Sequence, residues 1–346
     1  MPSSPTDREA PSRVQFCSLV SEASGEDLIG SAWSVPCYVA VELPLPWPYE
    51  VLAGTHVPAG LKEFVYGIYG AGIPWGFLGI APDPERSVEG HTRILFCDRP
   101  AGPVAGYDAW ELLVPNALLI ATLERLRDAW PHRPAGLDRF TVERPAGLRD
   151  ILVCTHGAVD ACCAKFGYPV YRELSRLAAQ SATNTRVWRC THFGGHRFAA
   201  TVLELPSGRY WGRLTGARLG SLIDHDVPAV EMRNAYRGWA LLPHVLEQVA
   251  EGEAFRRGGW EWTECVMEAS GAPDDPEAIA GIITFTYRHP GGEEGSIVIE
   301  VIPTETISTM ASSSSPEMQD VQQFRCEVRS VSPAGGILGR DPDAAA

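Results

Sequence analysis

RDILVCTHGAVDACCAKFG, residues 149–167, is the stretch on which the reading of the fold turns. RDILVCTH (149–156) is an apolar run and reads as a buried strand. GAVDACCAKFG (157–167) has no period and reads as a loop. Pro169 suits the first turn of a following helix, and Val170, Leu174, Leu177 and Ala178 give that helix an apolar stripe to about Gln180. TRVWRCTH (185–192) alternates as a second strand and FGG breaks it. RFAATVLEL (197–205) is a third strand, PSGR turns, and YWGRL (210–214) returns as a fourth.

The order is therefore strand, cysteine-bearing loop, helix, strand, histidine-bearing loop, hairpin. In an α/β protein this order is compatible with a thioredoxin-like layer, in which the two loops lie at one end of the sheet. Residues 141–240 are assigned to this module. Residues 16–140 read as a separate N-terminal α/β unit, ended by PHRPAGLDRF. In it EDLIGSAW opens a short helix, YVAVEL (38–43) and TRILFCDR (92–99) are strands, and NALLIATLERLRDAW (116–130) is a helix. That helix carries Leu119, Leu123, Leu126 and Trp130 on one face.

PAVEMRNAYRGW and VLEQVAEGEAFRR read as helices, and the segment 241–346 becomes β-rich after the second of them. GIITFTYR and SIVIEVIP flank the turn HPGGEEG, and FRCEV alternates near the end. ASSSSP (311–316) is expected to be a flexible loop, residues 1–15 a disordered tail, and DPDAAA a frayed end. No internal sequence repeat is found.

Hydrophobic content of 45% and charged content of 21% describe an ordinary globular chain. A net charge of −14 repels phosphate backbones and anionic lipid surfaces, which argues against nucleic acid and membrane as partners. The first residues have no apolar h-region, and no run is long enough to span a bilayer, so a cytoplasmic location is expected. Nine cysteines in a cytoplasmic chain do not suggest a disulfide framework. Cys154, Cys162, Cys163 and Cys190 cluster in sequence and point to a metal or redox site. Cys17, Cys37, Cys97, Cys265 and Cys326 are scattered and read as small buried apolar residues.

CTHFGGH (190–196) separates two imidazoles by a pair of glycines that lets the backbone turn tightly. Cys154 ends the first strand and Cys163 precedes a helix, so both can converge with His192 and His196. The positive end of that helix favours thiolate at Cys162 and Cys163.

The strings LVCTHGAVDACCAKFG and HFGGHRFAATVLELPSGRYWGRL resemble the sucrase/ferredoxin-like family, as does the opening FCSLVSEASGEDLIGSAW with VELPLPWP. The resemblance spans roughly residues 16–239. It implies a thioredoxin-like [2Fe-2S] ferredoxin whose cluster is held by Cys154, Cys163, His192 and His196, with Cys162 as the alternative to Cys163. It also implies an electron carrier that works with a redox partner protein, more than a catalyst on its own.

Two ferric ions, two sulfides, two thiolates and two neutral imidazoles sum to zero charge. A potential nearer the range of His₂Cys₂ Rieske centres, about −150 to +300 mV, than the about −400 mV of plant-type ferredoxins is therefore expected. The same four ligands are legal for a structural Zn²⁺ in an interaction protein, although the cysteine spacing is far from C-x₂₋₄-C. A Rieske fold lacks its C-x-x-H, and a C-x-x-C dithiol is absent too. A sugar hydrolase needs a carboxylate pair, and nothing marks Glu22, Glu26, Asp27 or Glu42 as one. Cys190 is expected to pack beneath the site and His156 to support it. Lys165, Thr191 and Arg197 could donate hydrogen bonds to sulfur.

Overall fold

A computed structural model describes residues 15–334 and 336–339, so the polar stretch 1–14 and the closing DPDAAA lie outside the described residues. Helix α1 (Cys17–Ala23) leads into β1 (Cys37–Glu42), α2 (Leu61–Gly70), β2 (Trp75–Ile80), β3 (His91–Asp98), β4 (Asp108–Pro115) and α3 (Leu119–Ala129). Then come β5 (Arg149–Cys154), α4 (Ala161–Gln180), β6 (Thr185–Cys190), β7 (Val202–Leu205), β8 (Arg209–Trp211) and α5 (Ala217–Asp224). The chain continues through α6 (Ala229–Met232), β9 (Tyr236–Trp239), α7 (Val245–Trp262) and β10 (Val266–Ser270). It closes with β11 (Gly281–Arg288), β12 (Glu294–Ser312) and β13 (Ser315–Ser332).

The fold is mixed α/β. One nine-stranded sheet has the order β4-β3-β1-β2-β6-β5-β7-β8-β9, and an antiparallel sheet has the order β10-β11-β12-β13. The large sheet runs without a break across the boundary read near residue 140. Its two halves share a topology. β1 pairs parallel with β2 and antiparallel with β3, which pairs with β4. In the same way β5 pairs parallel with β6 and antiparallel with β7, which pairs with β8. Each half is thus strand, helix, three strands, helix, in the spatial order second, first, third, fourth. The halves meet where β2 and β6 cross antiparallel at Ile80 and Cys190. The repeat is invisible in the sequence because a topology constrains the pattern of apolar positions and not the side chains that fill them.

Strand β5 buries Ile151, Leu152, Val153 and Cys154 on both faces, which explains its unbroken apolar run. Helix α3 buries Leu119, Leu123 and Leu126 of the stripe read from the sequence, whereas Trp130 follows the helix as its half-buried C-cap. A buried ion network joins the halves. Glu111 on β4 accepts from Arg93, from Arg144 at 3.2 Å and from Arg186 at 2.7 Å. Asp150 on β5 meets the same Arg186 at 2.7 Å and Arg144 at 2.8 Å.

Several local expectations change. The segment 157–167 is not all loop, because Asp160 caps a helix there: its side chain accepts from Cys162 N at 2.8 Å, and α4 starts at Ala161. Pro169 consequently lies inside α4, where it forfeits one backbone bond while Val170 and Leu174 stay buried. Gly167 is where α4 presses on the Cys154 carbonyl, too close for any Cβ.

The short helix lies at α1 and not in EDLIGSAW, and PAVEMRNAYRGW divides into α6 and strand β9. RFAATVLEL becomes strand only from Val202. The serine run 311–316 closes the β12–β13 hairpin, and its tip docks against α1 and α4 through Ser313.

Candidate metal centre

The site sits at the carboxyl ends of the parallel strands β5 and β6. Cys154 is the last residue of β5, Cys163 lies in the first turn of α4, and His192 follows β6 by two residues. Their ligand atoms, two sulfurs and one imidazole nitrogen, all lie within 4.8 Å of one another. His192 Nδ1 is 3.8 Å from Cys154 Sγ and 3.6 Å from Cys163 Sγ. Both sulfurs are buried, and His192 is half-exposed.

Burial alone pushes the Cys154 thiol up, but the hydrogen bonds from Cys163 and His192 outweigh it and hold Cys154 well below the ordinary thiol range. Cys163, which donates to Cys154 and is itself buried, is pushed up. The two thiols therefore titrate together, and the hydrogen bonds favour the ionised form at Cys154 over Cys163.

His196 stands outside this group. Its ring centroid is 5.4 Å from that of His192, and its Nδ1 lies 3.3 Å from Cys17 Sγ and 3.4 Å from Asp160 Oδ2. It therefore borders a second buried constellation of Cys17, Asp160 and Cys162, whose ligand atoms also lie within 4.8 Å of one another. Cys17 and Cys162 place their sulfurs 3.5 Å apart. The Cys17 hydrogen bond, helped by Ser18 and Ser313, pulls Cys162 down to about 6 against the effect of burial.

Ser313 Oγ sits among these groups, 2.8 Å from Asp160 Oδ1, 3.2 Å from Cys162 Sγ and 3.3 Å from Cys17 Sγ. Asp160 also accepts from Ser313 N at 2.9 Å and Ser312 Oγ at 3.0 Å. Burial opposes the charge, but the bonds from Cys162 N and from Ser313 N and Oγ hold Asp160 down at about 2.

Neighbouring residues support the loops. His156 accepts from His192 N at 3.4 Å through Nδ1, and its Nε2 donates to the Pro48 carbonyl at 2.7 Å. The N-terminal half thereby braces the site. Thr191 Oγ1 accepts from Gly79 N at 2.9 Å and does not reach the sulfurs. Arg197 holds Glu26 at 2.6 Å, and Lys165 faces solvent. Cys190 is fully buried beneath the loop.

Of the carboxylates weighed for a hydrolase, Glu22, Glu26 and Asp27 line a cavity of about 370 Å³. There Glu26 is tied to Arg197, and Asp27 to Arg233 at 2.8 Å.

On sequence alone Cys17 reads as a small buried apolar residue and the serine run around Ser313 as a flexible loop, and Asp160 is not singled out. Asp160 has a legible signal, an N-cap aspartate before a cysteine-bearing helix. Cys17 and Ser313 have none, because α1 and the hairpin tip reach the site only through tertiary packing.

The donor chemistry fits a thiolate- and imidazole-ligated centre. Two cysteine sulfurs and an imidazole Nδ1 converge, and a second imidazole stands beside them. A family profile described as sucrase/ferredoxin-like matches residues 28–238. Comparison with curated proteins and comparison with solved structures yield no match.

Proposed function

The chain belongs to the sucrase/ferredoxin-like family, and on that premise we propose that it is a cytoplasmic electron carrier whose Cys154, Cys163, His192 and His196 hold a [2Fe-2S] cluster. The observation that carries this reading is the convergence of Cys154, Cys163 and His192 within 4.8 Å at the end of β5 and β6. When bound, the cluster supplies a one-electron redox couple.

The chain's own residues prepare the site. Cys154 and Cys163 must both be thiolates to act as ligands, so loading is favoured by rising pH, and the hydrogen bonds that lower Cys154 prepare it for that role. His156 accepts from the His192 backbone N–H through Nδ1 and is itself anchored to the Pro48 carbonyl through Nε2. Cys17 and Asp160 occupy Nδ1 of His196, so Nε2 is the ring nitrogen left for the centre. The imidazole side is the more open one: His196 is 21% exposed at its side chain, whereas Cys154 is fully buried. A redox partner protein would approach over this side. No helix among the described residues is long and apolar enough to cross a membrane.

Anaerobic purification, analysis of iron, zinc and acid-labile sulfide, and electron paramagnetic resonance after dithionite reduction test the proposal. Equal iron and sulfide with a paramagnetic reduced state is the expected result. Stoichiometric zinc in a colourless protein would overturn it and favour the structural zinc reading.

A further inference from the structure

Arg237 is 1% exposed and has no carboxylate within 4.0 Å among the described residues. The other two buried arginines do have one: Arg209 meets Glu251 at 2.6 Å, and Arg93 meets Glu111. A buried guanidinium without a counter-charge is costly, so the partner that compensates it is informative.

Arg237 projects from β9 beneath the loop that carries both histidines. Nη1 donates to the Gly194 carbonyl at 3.2 Å, Nη2 to the Ser31 carbonyl at 2.6 Å, and Nε to Ser31 Oγ at 3.1 Å. Its remaining neighbours are the ring faces of Phe198 and Tyr210, 5.6 and 5.2 Å from Cζ. Gly195 lies flat on the guanidinium, and any side chain there would overlap it. All of these partners are neutral. Burial pulls Arg237 down to about 10 and the neighbouring Arg197 cation opposes its charge, whereas negative charge at Cys154 favours it.

We infer that Arg237 is the fixed counter-charge of the metal centre: its buried cation, held against the Gly194–Gly195 turn, favours the more negative redox form and sets the potential upward. This rests on the cluster reading above. A cation in a dry interior is screened weakly, so its influence reaches beyond its hydrogen bonds. The fork also supports the turn, and charge and support are separable because lysine keeps the first and loses the planar donor set.

The test uses the full chain, loaded anaerobically, with redox titrations of the wild type, R237Q and R237K and near-ultraviolet circular dichroism as a check on packing. R237Q is expected to lower the equilibrium constant for one-electron reduction about tenfold, equivalent to a fall of about 59 mV. R237K is expected to stay within about threefold of the wild type, on the argument that lysine carries the same charge. A folded, loaded R237Q with the wild-type potential overturns the inference and leaves the cluster reading intact. A wild-type protein that takes up no iron and sulfide overturns the cluster reading itself. Should R237Q not fold, R237M takes its place as the charge-free variant: a tenfold fall beside an unchanged R237K upholds the inference, and a wild-type value in R237M overturns it.

Discussion

Cys162 and Cys163 are neighbours in the chain, yet they serve different constellations. Cys162 Sγ lies 3.5 Å from Cys17 Sγ, whereas Cys163 Sγ lies 3.6 Å from His192 Nδ1. Successive residues on a helix point about 100° apart, so the first turn of α4 sends one sulfur to each side. This favours Cys163 as the thiolate that accompanies Cys154. C163S should abolish metal uptake, while C162S and C17S should retain it, as measured by metal analysis of the purified variants. Retention of full metal content by C163S with loss in C162S would reverse the assignment.

Replacing either imidazole by a thiolate puts an anion where a neutral donor stood. H192C and H196C should therefore each lower the reduction potential and flatten its dependence on pH, because a ring N–H that can ionise has been removed. Redox titrations between pH 6 and 9 provide the check, and unchanged curves would reject both histidines as ligands.

Asp160 ties α4, the hairpin tip and His196 together while held down at about 2. With an unfolded value of about 3.9, its contribution is complete above that pH and is lost as pH falls towards 2. D160N should be less stable than the wild type at pH 7 by on the order of 2 kcal/mol. The gap should close on acidification in urea unfolding series. A gap that persists unchanged to pH 2 would contradict the account.

Gly194 and Gly195 both have positive φ, 87° and 75°, but only Gly195 faces an obstacle. G194A should cost only the left-handed strain of about 1–2 kcal/mol. G195A must in addition displace the Arg237 guanidinium, and it should lose more stability and more bound metal than G194A in parallel denaturation and metal assays. Equal losses would mean that the contact with Arg237 is unimportant.

Much of the candidate site was legible because its signals are local. The apolar run before Cys154, the cysteine nine positions on, and the two imidazoles around a glycine pair each depend on residues close in sequence. The start of α4 was misplaced because a single hydrogen bond from the Asp160 side chain decided it, and the apolar stripe of that helix becomes regular only after Pro169.

What the sequence determined by itself was the α/β class, the order of elements around the site, and a set of sulfur and nitrogen donors at the ends of two neighbouring strands. Tertiary structure alone decided the pairing of Cys17 with Cys162 across 145 residues, the docking of Ser313 and the placement of Arg237 under the histidine loop. It also decided the meeting of the two topologically equivalent halves at Ile80 and Cys190. The physical reason is range. Periodicity, capping and turn chemistry act over a few residues, whereas which buried charge faces which sulfur is settled when distant strands and a hairpin tip pack into one interior.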